Sequence, residues 1–246
     1  MTIFLLVLSV ILGGLVPFFL KSSEKAISNF LAFSASYLLC VTFFHLFPEL
    51  FEFAHHNESS RVYVGLFLFV GFLFQKTLEF FSGGVEHGHI QKHNTVNPYI
   101  LLIALFIHAL LEGMVLIEGS SHQQVHSGLH GHHHSDHILY GVVLHKIPAA
   151  FALGSILLFE NIRKITILLL LIIFSLASPI GVLLGEVSLH HLSPEYTVFL
   201  FAFVTGNLLH IATTVFNESS NEQKLSVVRW GLVLFGAGIA MIVEFL

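Results

Sequence analysis

Residues 98–117 read PYILLIALFIHALLEGMVLI, twenty residues in which His108 and Glu112 are the only strongly polar side chains. A helix of that length covers the roughly 30 Å hydrocarbon core of a bilayer. Seven more windows qualify on the same ground: 2–20, 28–54, 61–81, 138–159, 163–186, 195–216 and 227–246. Strict alternation of apolar and polar residues is absent, which argues against a membrane β-barrel. Helices then remain as the way to satisfy every backbone amide in lipid. The sequence predicts an all-α, polytopic membrane helix bundle of about eight transmembrane helices, one transmembrane domain over residues 1–246.

Composition agrees. The chain is 55% hydrophobic and only 10% charged, against about 25% charge in soluble domains, and its mean hydropathy is +0.85. Its surface must therefore face lipid, and its 26 Phe suit that role. Residues 1–20 have no basic leader and no small-residue cleavage site, so they read as a span rather than a cleaved signal. A single cysteine, Cys40, excludes a disulfide framework. The net charge of −5 gives no reason to expect a nucleic-acid partner.

Orientation follows from the basic residues. With the N-terminus outside, the inner loops hold Lys21, Lys25, Lys92, Arg163, Lys164 and Lys224, and the outer loops only Arg61. Positive charge favours the cytoplasmic side, so both termini are expected outside, in a plasma or inner membrane. The chain has 18 histidines. His87, His89 and His93 fall in a polar tract over 82–97, expected inside. His122, His126, His130, His132, His133, His134 and His137 fall in another over 119–137, expected outside. Both tracts have a metal-attracting composition.

Ionisable groups inside spans are expensive, about 2.5–3.5 kcal/mol each on insertion scales, and they are functional candidates by default. His108 and Glu112, four residues apart, share one helix face. They could hold a divalent ion from one side, or simply hydrogen-bond to each other. The fifth span supplies His145, followed by Lys146 and Pro148. The proline cannot donate to the Leu144 carbonyl and is expected to kink the helix. A lysine at that depth needs a carboxylate partner or an aqueous cavity. The second span repeats the pattern with His45, Pro48 and Glu49. Zinc accepts imidazole and carboxylate ligands, so His108, Glu112 and His145 are the candidate metal ligands, with His45, Glu49, Lys146 and His210 as candidate pathway groups.

Several of these motifs resemble the ZIP family of zinc and iron importers. The fourth span carries His108-Ala109-Leu110-Leu111-Glu112-Gly113, and the fifth His145-Lys146-Ile147-Pro148-Ala149-Ala150. His45-Leu46-Phe47-Pro48-Glu49, Ser178-Pro179-Ile180-Gly181-Val182-Leu183-Leu184-Gly185 and Gly206-Asn207-Leu208-Leu209-His210-Ile211-Ala212 are similar to the second, sixth and seventh spans of that family. The resemblance implies eight spans, termini outside and import of divalent metal. It supports one metal site from His108, Glu112 and His145. Family members often hold a second, adjacent metal, but Ala109, Lys146 and Ala149 stand where its ligands would be. Lys146 would then place its ammonium where the second cation sits.

The expected function is transport of zinc, or a similar divalent ion, into the cytoplasm, with no enzymatic activity and no bound cofactor besides the transported ion. His45, Glu49 and His210 are expected to receive the ion on the inner side, and the tract of His87, His89 and His93 to bind it on release. An exporter of the same ions is the main alternative, and a membrane metalloenzyme a more remote one. No G-x-x-x-x-G-K-[ST] motif is present to suggest ATP hydrolysis. The lipid bilayer is the other partner implied. Gly71, Gly181 and Gly185 would permit the close helix contact of a homodimer.

Overall fold

The computed structural model describes residues 1–19, 24–54, 58–82, 98–121, 134–160, 162–220 and 227–245. Its helices are α1 (Thr2–Phe19), α2 (Glu24–Val41), α3 (Phe47–Ala54), α4 (Glu58–Ser82), α5 (Pro98–Ser121), α6 (His134–Phe159), α7 (Lys164–His191), α8 (Pro194–Ser220) and α9 (Val227–Phe245). A π-helical turn over Thr42–Leu46 joins α2 to α3, and the three form one span. Eight helices are thus long and apolar enough to cross a membrane, and no strand occurs among the described residues. Of the polar tracts, His87, His89, His93, His122, His126, His130, His132 and His133 lie outside the described residues. His134 and His137 instead fall in the first turn of α6, and α5 persists to Ser121, so helix extends into both ends of 119–137.

The second span shows how a proline is accommodated. Pro48 has no N–H to give, and its ring would crowd the carbonyl four residues back in a regular helix. The chain widens by a residue ahead of it, so that the Phe47 N–H bonds to the Thr42 carbonyl. Such π-bulges re-aim the side chains they contain, and His45 is one of them. In the fifth span, by contrast, helical structure continues on both sides of Pro148.

Two classes of helix emerge. Of the best apolar windows of α1, α4 and α9, only 28%, 22% and 17% is buried, against 56% or more for the other spans. The three form the periphery. Side chains such as Phe4, Leu12, Phe69, Leu73, Leu169, Ile172 and Leu234 are exposed, which is costly in water and ordinary in hydrocarbon. Neighbouring helices touch through glycines. A Cβ on Gly113 would collide with the Ser178 backbone carbonyl, and one on Gly181 with that of Leu110, so α5 and α7 meet backbone to backbone. Gly71 and Gly206 do the same for α4 and α8, against Phe203 and Leu68. With no hydrophobic drive between helices in lipid, such close approach is what holds them. It also means that Gly71 and Gly181 are already covered within one chain and offer no bare face to a second copy; Gly185 is buried as well.

The closest-packed pairs are α4 with α8, α5 with α7, α1 with α6, and α2 with α9. One apolar cluster contains Leu101, Leu105 and Ala109 of α5 with Ala150, Leu153 and Phe174. A second contains Leu111 and Val115 of α5 with Val142 and Phe201. The polar residues of α5 and α6 lie where these two clusters adjoin.

Candidate metal site

Helical geometry puts His108 and Glu112 on one face of α5, and packing brings α6 against that face. His108 Nε2 stands 3.1 Å from Glu112 Oε1. The His108 and His145 rings lie edge to face with centroids 6.0 Å apart. One ligand atom from each of His108, Glu112 and His145 falls within 4.8 Å of the other two, and all three residues are buried. Bonds of about 2.0–2.2 Å in a tetrahedral shell put ligand atoms about 3.4 Å apart, so three donors that lie within 4.8 Å of one another would close in slightly around a cation. Among the described residues, neither ring nitrogen of His145 has a hydrogen-bond partner. A buried imidazole left that way costs stability unless something else binds it.

Lys146, adjacent to His145, finds a carboxylate. Its Nζ donates to Glu112 Oε2 at 2.7 Å, and the ammonium lies 5.6 Å from the centre of the Phe174 ring on α7. Glu112 thus presents one oxygen to Lys146 and the other toward His108. A hydrogen bond from Ser178 Oγ to the Ala109 carbonyl, 2.6 Å long, fixes α5 against α7 one residue past His108. The Ser178-Pro179 motif therefore braces the turn that carries the imidazole.

Two further polar clusters flank this one. In the first, His45 Nδ1 lies 3.1 Å from Glu244 of α9, and its Nε2 3.9 Å from Glu49. In the second, His210 Nε2 lies 2.6 Å from Glu79, and Asn207 donates to Gln75 at 2.8 Å. The sequence reading missed Glu244, Glu79 and Gln75. Glu244 is the one acid of a final span whose other charged residue is Arg229, near its start, and Gln75 with Glu79 repeats the i, i+4 polar spacing in the third; both were signals. The expectation that His45, Glu49 and His210 share the inner side sits poorly with their places along the spans. His45 and Glu49 lie toward the end of the second span, whereas Glu79 and His210 lie toward the ends of the third and seventh. Spans that alternate in direction put those ends on opposite membrane faces. The His108–Glu112–His145 cluster, mid-way along α5 and α6, falls between them.

These features define a multi-pass helical membrane protein with a buried imidazole–carboxylate cluster at its core. The family model described as ZIP zinc transporter matches residues 1–99 and 84–244, and the chain belongs to that family. It is 32% identical over 178 residues to Protein zntD of Dictyostelium discoideum, covering 65% of this chain and 25% of that protein. It is 26% identical over 174 residues to Zinc transporter ZIP9 of Micropogonias undulatus, covering 65% of this chain and 52% of the relative. Zinc transporter ZIP1 of Plasmodium falciparum (isolate 3D7) matches at 21% identity over 292 residues, 89% of this chain and 78% of the relative. The chain thus spans between a quarter and about half of the length of the first two relatives.

Proposed function

We propose that this chain carries zinc, or a similar first-row divalent cation, across the membrane and into the cytoplasm through a site formed by His108, Glu112 and His145. The observation that carries the reading is the convergence of three buried ligand atoms within 4.8 Å of one another, half-way along two spans. Two imidazoles and one carboxylate leave the fourth tetrahedral position open, as suits an ion that must leave again. Charge asymmetry among the loops supports termini outside. In that orientation His45, Glu49 and Glu244 lie on the outer side and draw cations in, while Glu79 and His210 lie on the inner side and receive them. The ion's gradient or an ion-coupled exchange supplies the drive.

Zinc flux into liposomes containing the purified chain tests this reading. The wild-type chain takes up zinc, and the His108→Ala/His145→Ala double variant does not. Equal uptake by both would remove the site from consideration. Direction is read in cells: overproduction raises metal content if the chain imports and lowers it if the chain exports.

A further inference from the structure

We infer that Lys146 is a built-in counter-cation that holds the empty site electrically neutral and thereby weakens metal binding enough for release. This rests on the site proposed above and concerns what tunes it. Glu112 and Lys146 are the only acid and the only lysine fully buried among the described residues, and they are 2.7 Å apart. Imidazoles that ligate a metal are neutral, so the empty cluster sums to zero: one carboxylate against one ammonium. A bare carboxylate at that depth would carry a heavy desolvation cost and would grip any cation that relieved it. The ammonium relieves it permanently.

The geometry lets both cations share the one carboxylate. Lys146 holds Oε2, while Oε1 lies 3.1 Å from His108 Nε2, on the side of the imidazoles. A metal bound by Oε1 need not displace the lysine. It must instead bind close to a fixed positive charge, and at the effective dielectric of a protein interior two such charges repel strongly. Lys146 is therefore a positioning and charge-setting residue rather than a ligand. The Phe174 ring face, 5.6 Å from the ammonium, adds a cation–π contact that keeps it on the Oε2 side.

The test compares Lys146→Gln, which keeps a hydrogen-bond donor for Glu112 but drops the charge, with Lys146→Arg, which keeps the charge. Zn²⁺ alone is titrated calorimetrically into the purified full chain in detergent. The titration of the His108→Ala/His145→Ala protein, which retains the His-rich tracts, is subtracted. Lys146→Gln is expected to bind Zn²⁺ at least about tenfold more tightly. In liposomes its KM falls and its maximal uptake rate falls with it, because release becomes slow. Lys146→Arg stays near wild type in both. A variant that merely loosened the fold would bind more weakly, not more tightly. If Lys146→Gln is not recovered folded, Lys146→Met, which drops the charge and leaves all three proposed ligands in place, takes its role: tighter Zn²⁺ binding than wild type is expected, and unchanged or weaker binding would overturn the inference. Unchanged or weaker binding by Lys146→Gln, in a chain whose wild type does transport zinc, overturns it too. A wild type that moves no zinc overturns the proposed function instead.

Discussion

The second and fourth spans carry the same local signal, a histidine and a glutamate four residues apart, and the fold treats them differently. In α5, His108 and Glu112 are fully buried, 3.1 Å apart, and a third donor, His145, arrives from α6. In the second span, His45 and Glu49 are 3.9 Å apart, their side chains keep 9% and 18% of their exposure, and the arriving partner is an acid, Glu244. Its carboxylate meets the opposite ring nitrogen from Glu49, so the imidazole sits between two acids instead of converging with them on one point. The cause is local. The π-turn ahead of Pro48 turns His45 toward α9, whereas α5 is regular and keeps both side chains on the face that α6 covers. Identical spacing gives a candidate binding site in one place and a bridged ion pair in the other.

The sharpest way to break this comparison is to remove Glu112. Glu112→Ala strands a buried ammonium, which costs about 3–5 kcal/mol of stability, and thermal unfolding in detergent should show it alongside lost uptake. Adding Lys146→Met should restore most of the melting temperature but none of the transport. That split separates structural from transport roles in one residue. Next in size, His145→Ala should lower zinc uptake by more than about a hundredfold, beyond the 10–100-fold typical of groups that only support a ligand. His45→Ala should lower it only a few-fold. Equal losses for the two histidines would mean that both pairs serve the same purpose.

The helix contacts come third. Gly113→Val drives a side chain into the Ser178 carbonyl, and overpacking of this kind costs about 1–3 kcal/mol. Gly65→Ala, where a Cβ meets nothing within 4 Å, should leave melting and uptake unchanged. The smallest effect belongs to the flanking acids. Glu49→Gln and Glu244→Gln should each raise KM by about twofold to fivefold, the range of partly exposed ion pairs, leave the maximal rate alone, and lose their effect in high salt. A drop in maximal rate instead would place those acids in the translocation step.

Much of the architecture was legible because the lipid environment makes the rules local. Eight apolar runs long enough to span are visible without any tertiary information, since a helix in hydrocarbon must satisfy its own amides. The placement of His108 and Glu112 on one face was equally legible, being a consequence of 3.6 residues per turn. Glu244 and Glu79 were passed over because each stands near a span end, where an acid usually meets water. Their partners, His45 and His210, lie 199 and 131 residues away in sequence. Residue type alone is no ground for grouping His45 with His210: depth and side depend on where a residue falls along its own span.

By itself, then, the sequence determined the helices, their number and the pairing of groups one turn apart, because those follow from backbone geometry and from the cost of polar groups in lipid. Only the tertiary structure decided which distant side chain joins each pair: His145 and Lys146 at Glu112, Glu244 at His45, Glu79 at His210. That choice is made by helix packing, by glycines that let α5 meet α7 and α4 meet α8, and by a π-turn that rotates one histidine away from its apparent role. Those are relations between surfaces, and no single helix carries them.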